Sequence, residues 1–107
     1  MVRMRSMRIE CIFFGPFRED VGEKTVFVEP SDETVGTLLE DLESSYPVLE
    51  GRLIDHHADD LAGKTVVTKN KTDVRHLEGL ETTLSADDVV RLVPSVYGGT
   101  AEPGSRR

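Results

Sequence analysis

The feature that most constrains the fold is one apolar stripe with helical spacing. Its members recur at i, i+3, i+4, i+7 and i+11, which is one face of an α-helix. They are Val35, Leu38, Leu39, Leu42 and Tyr46. Ser31, Asp32 and Thr34 have side-chain oxygens that can cap the N-terminus of this helix. Pro47 is predicted to end it. Gly36 is its weak point, costing up to about 1 kcal/mol relative to Ala. The opposite face is acidic and is predicted to be solvated: Glu40, Asp41 and Glu43.

Two strand patterns precede this helix. Met7, Ile9, Cys11 and Phe13 alternate with other residues and share one face, and the segment becomes apolar on both faces towards Phe14. This pattern predicts a strand that is central in a sheet. Residues 23–29 form a second strand rich in β-formers. Residues 15–22 form a turn region, so the two strands are predicted to pair as an antiparallel hairpin.

The chain after the helix is less regular. Residues 48–64 are predicted to be a long connection, and residues 65–68 a strand. Residues 74–76 suggest a brief edge strand, and residues 79–84 a loop with two apolar anchors. Residues 85–88 form a tight turn into the last strand.

The last strand, Val89 to Val93, is β-branched and is closed by Pro94. Alternation predicts that Val90 and Leu92 face the core. Val89, Arg91 and Val93 are then predicted to face outwards.

Runs of strands around a single helix predict an α+β fold. We expect a mostly antiparallel sheet of four to five strands, with one main helix packed across it. The first and last strands are the most apolar and are predicted to lie side by side at its centre. The length of 107 residues fits one domain. We assign it to residues 7–99, with residues 1–6 as a disordered leader and residues 100–107 as a disordered tail.

Composition excludes several function classes. The formal net charge is −7, which disfavours nucleic-acid binding because that function requires a basic stripe. The acidic residues are spread along the whole chain, which favours a salt-adapted host. No apolar run has membrane-spanning length and no secretion signal is visible. The sequence therefore predicts a cytoplasmic protein without a membrane partner.

The residues with catalytic or metal-binding chemistry do not form a convincing site. Cys11 lies in an apolar alternation and is predicted to be a buried small hydrophobe. Residues 55–60, Asp-His-His-Ala-Asp-Asp, have metal-ligand types. Because they are contiguous on a loop, they favour a solvated acidic segment over a metal site. No nucleophile accompanies His76, so we predict that the protein is not an enzyme and binds no cofactor.

The residues that follow the last strand are Val96, Tyr97, Gly98 and Gly99. Two glycines can simply open a linker. They can also make the backbone narrow enough for a terminal carboxyl group to enter a tight enzyme cleft, because neither has a Cβ. The dipeptide alone does not distinguish these two interpretations.

The ordered set of motifs resembles the ubiquitin-like β-grasp sulfur carriers. That family comprises the small subunit of molybdopterin synthase, the thiamine-pathway sulfur carrier and the archaeal small ubiquitin-like modifiers. The resemblance covers about Met7 to Gly99, and the molybdopterin-synthase branch looks most similar. The motifs are Phe13-Phe14-Gly15 with Arg18-Glu19, Thr34-Val35, Tyr46-Pro47, Asn70, Leu84-Ser85-Ala86-Asp87-Asp88, Val93-Pro94 and Gly98-Gly99.

This resemblance implies a function in which the protein is the reactant of an enzyme. An E1-like activating enzyme, consuming ATP and magnesium, would adenylate the carboxylate of Gly99, and Gly98 would provide clearance. The product would become a thiocarboxylate for sulfur transfer to molybdopterin or tRNA, or an isopeptide bond with lysines of target proteins. A docking patch is expected at Val89, Val93, Val96 and Tyr97.

The chain departs from the family pattern after Gly99, where eight more residues follow. As written, the carbonyl of Gly99 belongs to a peptide bond and cannot be adenylated. The resemblance therefore implies that a processing metalloprotease removes residues 100–107. The alternative is an uncleaved β-grasp binding module that docks on the large subunit of molybdopterin synthase or another partner.

Overall fold

The computed structural model describes residues 7–63 and 65–94. Two α-helices and seven strands lie within these residues, together with three short 3₁₀ turns. The helices are α1 (Pro16–Val21) and α2 (Val35–Ser45). The strands are β1 (Ile9–Phe13), β2 (Thr25–Val28), β3 (Ile54–Asp55), β4 (Asp60–Leu61), β5 (Thr65–Lys69), β6 (Thr72–Asp73) and β7 (Val89–Pro94).

The main sheet has five strands in the order β2-β1-β7-β5-β6. β1 pairs antiparallel with β2 and parallel with β7, and β5 pairs antiparallel with β7 and with β6. The predicted hairpin and the central neighbours β1 and β7 are therefore confirmed. The short strands β3 and β4 form a separate antiparallel pair.

Helix α2 covers one face of this sheet and buries the predicted stripe. Val35, Leu38, Leu39 and Leu42 are buried. Tyr46 packs at the edge of the core, with its ring 6.2 Å from that of Phe13 and nearly perpendicular to it. Thr34 is the N-cap, because its hydroxyl oxygen accepts a hydrogen bond from the backbone N–H of Thr37.

Glu43 is not solvated, which corrects the prediction for the acidic face of α2. The residue is only 7% exposed. One carboxylate oxygen, Oε2, accepts hydrogen bonds from the backbone N–H groups of Gly51, Leu53 and Ile54 at 3.0–3.1 Å. The other, Oε1, lies 2.7 Å from Nε2 of His56. The buried carboxylate thus fixes the chain that follows the helix.

Gly36 has a packing role that helix propensity does not describe. A Cβ at this position would lie 3.1 Å from the carbonyl oxygen of Leu80 and 3.2 Å from its Cβ. The glycine therefore lets α2 approach the 3₁₀ turn at Gly79–Glu81, in the segment predicted as a loop.

The predicted turn between β1 and β2 contains the short helix α1. Gly15 has φ 60° before Pro16 at the first helical position, and Gly22 has φ 87° at the C-cap. Phe17 is buried between these ends. The Gly and Pro residues that predicted a break are the caps of a helix whose apolar side chain joins the core.

Two other expectations after α2 were wrong. The long connection contains a 3₁₀ turn at Pro47–Leu49 and the pair β3–β4, which Glu43 anchors. Residues 74–76 form a 3₁₀ turn rather than an edge strand. The edge strand is β6, because Asn70 and Lys71 have φ 53° and 91° and reverse the chain before Thr72.

In the described part of the chain, no helix is long and apolar enough to cross a membrane.

Candidate functional site

Strand β7 positions the tail that the sequence singled out. It lies between β1 and β5 and is bonded to both. The strand ends at Pro94, and Gly98 follows it by four residues. The segment that carries the two glycines therefore follows, in the sequence, a strand in the middle of the sheet.

Asn70 and the segment Ser85–Asp88 fix the start of β7. Asn70 accepts a hydrogen bond from the backbone N–H of Val89 at 2.9 Å and donates one to Oδ1 of Asp88 at 2.8 Å. Oδ2 of Asp88 accepts the backbone N–H of Ser85 at 2.8 Å. These contacts hold the tight turn before β7 and set where the strand begins.

Alternation along β7 is as predicted. Val90 and Leu92 are fully buried and Pro94 is buried, whereas Val89, Arg91 and Val93 are half-buried and point away from α2. Two residues of the predicted docking patch, Val89 and Val93, thus share the outer face of the sheet. The other two, Val96 and Tyr97, lie outside the described residues, as do Gly98 and Gly99.

The register of the sheet adds apolar residues that the sequence analysis did not assign to a site. Val66 pairs with Val93, and Ile12 pairs with Arg91. Phe14 follows β1 and donates its N–H to the carbonyl of Leu92. All are half-buried on the outer face. The period-two pattern of the first strand already placed Ile12 and Phe14 off the core face. We call the following set the outer patch: Ile12, Phe14, Val66 and Val93.

Arginine side chains lie over aromatic rings at both ends of the outer face. The guanidinium carbon of Arg18 is 5.8 Å from the ring centre of Phe14. At the opposite end, the guanidinium carbon of Arg8 is 4.6 Å from the ring centre of Phe27, and Phe27 is 55% exposed. Such cation–π contacts hold the arginine stems against the sheet and leave the charge facing solvent.

A groove with a volume of about 570 Å³ opens on the other side of the end of β7. Phe17, Ile54 and Pro94 are apolar parts of its wall. Arg52 lies over the ring of Phe17 at 5.0 Å and binds Asp20 at 2.7 Å. Pro94, at the end of β7, thus lines this groove, and its neighbour Val93 belongs to the outer patch.

His56 stands at the rim of the groove and is coupled to Glu43. The hydrogen bond to the Glu43 carboxylate raises the pKa of His56, and the nearby charges of Glu40 and Glu50 act in the same direction. Partial desolvation opposes the shift. The pair is a structural contact between α2 and the following loop.

The remaining candidates from the sequence do not form a reactive centre. Cys11 is fully buried, and burial, together with the charge of Glu10, raises the pKa of its thiol to about 12. It is therefore a core residue, as predicted. Asp55 accepts the backbone N–H groups of His57 and Ala58 and shapes the turn between β3 and β4. Across residues 7–63 and 65–94, no three His, Cys, Asp or Glu side chains are arranged to hold a metal ion. His76 is exposed.

Comparison with known sequences gives matches over most of the chain. The model of the family described as the ThiS family matches residues 11–99. Small archaeal modifier protein 3 of Haloferax volcanii is 40% identical over 94 residues, which are 87% of this chain and 100% of that protein. Sulfur carrier protein CysO of Mycobacterium bovis is 34% identical over 79 residues, 73% of this chain and 83% of that protein.

Comparison with solved structures supports the same grouping. The solution structure of small archaeal modifier protein 1 from Methanosarcina acetivorans matches with a TM-score of 0.76 and 28% identity. The match covers 90% of this chain and 100% of that one. The predicted α+β, β-grasp architecture is confirmed. These relatives are named as modifiers or sulfur carriers, which agrees with the prediction of a carrier or modifier rather than an enzyme.

Proposed function

This chain belongs to the ThiS family of ubiquitin-like carriers and modifiers, and on that premise we propose that it acts through the carboxylate of Gly99. The protein is a small modifier or sulfur carrier and not itself an enzyme. The observation that carries the proposal is the position of β7. Its rigid, central strand ends four residues before Gly98, and the family match ends at Gly99.

The proposed reaction needs a free carboxylate at Gly99. An E1-like activating enzyme, using ATP and magnesium, joins that carboxylate to the α-phosphate and releases pyrophosphate. A sulfide-level nucleophile then displaces AMP to give a thiocarboxylate, or a lysine amine displaces it to give an isopeptide bond. Gly98 and Gly99 allow the terminus to reach ATP because they carry no side chain. The carrier contributes a rigid base for the tail, which reduces the entropy lost on docking.

The outer face of the sheet supports docking beside the tail. Val89, Val93 and the rest of the outer patch are half-buried and lie on the side of the sheet that α2 leaves uncovered. Together with Val96 and Tyr97, they form the surface that the activating enzyme contacts. Apolar residues grouped next to a reacting segment are what such a transient interface requires.

The product determines the partner that follows activation. A thiocarboxylate at Gly99 would donate sulfur on the large subunit of molybdopterin synthase or in tRNA modification. An acyl-adenylate intercepted by lysines would attach this chain to target proteins. We place these steps in the cytoplasm, where ATP and both classes of acceptor are present.

Residues 100–107 must first be removed. We propose that a processing metalloprotease of the same host cleaves after Gly99. The last described strand ends at Pro94, five residues before the proposed cleavage site. A chain that keeps residues 100–107 would instead act only by docking.

An intact-mass spectrum of the protein purified from its own host tests this proposal. A species ending at Gly99 is the expected result. A sulfur-for-oxygen mass shift on that species indicates sulfur transfer. Branched peptides ending in Gly98-Gly99 on lysines of other proteins indicate conjugation. The proposal fails if every molecule retains Arg107 while molybdopterin synthesis or conjugation is active in the same cells.

A further inference from the structure

The proposed function leaves the groove at the end of β7 without a role. Its volume is about 570 Å³, within the range of sites that enclose a small ligand or a few side chains. Gly51 and Gly63 are part of its wall, and a Cβ added to either would meet no atom of the described residues within 4 Å. The space beside these glycines is therefore open to an incoming side chain.

The wall of the groove combines apolar and charged groups. Ile54 and Pro94 supply apolar atoms, and Asp55 adds a carboxylate. Arg52 lies on the same wall, and its side chain is 37% exposed although its guanidinium group rests on the ring of Phe17. A tyrosine ring packs on aliphatic side chains, stacks on a guanidinium plane and carries a hydroxyl group for a carboxylate. The groove therefore suits an aromatic side chain with a polar tip.

The chain itself supplies such a side chain beside the groove. Pro94 is both the end of β7 and part of the groove wall, and Val96 and Tyr97 follow it by two and three residues. Three residues span at most about 11 Å, even when fully extended. A tether this short gives an effective concentration in about the millimolar range, so a contact that would be weak between separate molecules is populated within one.

We infer that the groove is a docking site for residues 95–97 of this chain, with the ring of Tyr97 against Ile54 and the guanidinium group of Arg52. Docking shields Tyr97 from solvent and holds the following glycines close to the domain. The activating enzyme then competes with the groove for the same segment, and its apparent affinity falls in proportion to the docked fraction. This competition, unlike the docking itself, rests on the proposed function.

Acrylamide quenching of tyrosine fluorescence tests the docking in the full chain. The sequence has two tyrosines and no tryptophan, so Tyr46→Phe leaves Tyr97 as the one tyrosine emitter. This substitution keeps the aromatic ring that packs against Phe13. We expect the quenching constant of Tyr97 to be about half that of N-acetyltyrosinamide or less, as for a side chain docked in most molecules.

Two substitutions that narrow the groove, made separately in the Tyr46→Phe chain, should release Tyr97. They are Ala62→Leu and Gly63→Leu, both on the groove wall. Each should raise the quenching constant by about 1.5-fold or more, because the docked fraction falls. Ala58→Leu is the matched control, since it enlarges an exposed side chain in the turn between β3 and β4, outside the groove wall. It should leave quenching unchanged.

Circular dichroism identifies a groove variant that fails to fold, and the other variant then replaces it. The inference is overturned if Tyr97 is quenched as freely as N-acetyltyrosinamide, a comparison that needs no groove variant. It is also overturned if Ala58→Leu acts like the groove variants, or if protection is lost on dilution, because a second copy would then supply the segment. If Tyr97 is protected but the chain ending at Gly99 supports no ATP–pyrophosphate exchange, the docking stands and the proposed function fails.

Discussion

The two faces of β7 carry similar side chains and serve different purposes. Val90 and Leu92 are fully buried in the core that α2 shares, whereas Val89 and Val93 are half-buried on the opposite face of the sheet. Both faces carry valine and are largely apolar. The difference teaches that apolar content alone does not identify a core in this sheet. The position of α2 decides which valines stabilise the fold and which remain available to a partner.

The largest expected effect lies on the covered side. Leu38→Ala removes a fully buried side chain from the centre of the stripe on α2. We expect the free energy of unfolding to fall by about 2–5 kcal/mol, the range for such core truncations. Urea denaturation monitored by circular dichroism measures it. An unchanged midpoint would show that α2 does not close the core.

Glu43 tests whether a charged residue belongs to the covered side as well. Glu43→Ala removes the acceptor of three backbone N–H groups and should lower the free energy of unfolding by about 1–3 kcal/mol. Glu40→Ala is the matched control, because Glu40 is exposed on the same helix. Equal effects of the two substitutions in urea denaturation would contradict the anchoring role of Glu43.

Two matched substitutions in β7 test the difference between its two faces most directly. Val90→Thr puts a hydroxyl group into the core and should destabilise the fold by about 1–3 kcal/mol. Val93→Thr makes the same change on the outer face and should alter stability by about 0.5 kcal/mol or less. Binding to the activating enzyme should respond to Val93→Thr. If both variants lose the same stability, the two faces are not distinct.

His56 gives a smaller, pH-dependent effect. Its pKa is raised above the ordinary value of 6.5 in the folded state, chiefly by the hydrogen bond to Glu43. The stabilisation of the fold by the contact between protonated His56 and Glu43 is therefore complete below pH 6.5. It is lost as the pH rises through the higher folded-state pKa of His56. The destabilisation caused by His56→Ala should shrink between pH 6 and pH 9 in thermal melts. If His56→Ala instead cost more stability at higher pH, protonation of His56 would not stabilise the fold.

Gly99→Ala should have the smallest effect on folding and the largest on function. The described core is complete at Pro94, so we expect an unchanged melting temperature. A methyl group at the reacting residue should block activation of a chain that ends there. A large loss of stability would mean that the tail belongs to the folded domain.

The predictable parts of the fold were those with strong local periodicity. The stripe of α2 and the alternation of β1 and β7 specify both the element and its buried face, because burial follows spacing directly. Helix α1 was missed because Gly15 and Gly22 act as caps only once Phe17 is buried. The chain after α2 was missed because its shape depends on Glu43, whose burial depends on distant backbone N–H groups.

The candidate site was predicted in part for a related reason. Val89 and Val93 follow from alternation within one strand. The pattern of β1 already placed Ile12 and Phe14 off the core face, but the register that sets them and Val66 beside Val93 is not visible in the sequence. Residue spacing in the sequence therefore located the C-terminal segment and part of the outer face. The pairing of the strands completed the outer face.

The central claim is that a rigid sheet delivers a free Gly99 carboxylate to an activating enzyme. ATP–pyrophosphate exchange measures this directly, with the enzyme of the same host and two forms of the chain. One form ends at Gly99 and the other at Arg107. We expect exchange with the first form and none above background with the second, because only the first has a carboxylate at Gly99. Equal exchange with both forms, or none with the form that ends at Gly99, would contradict the account.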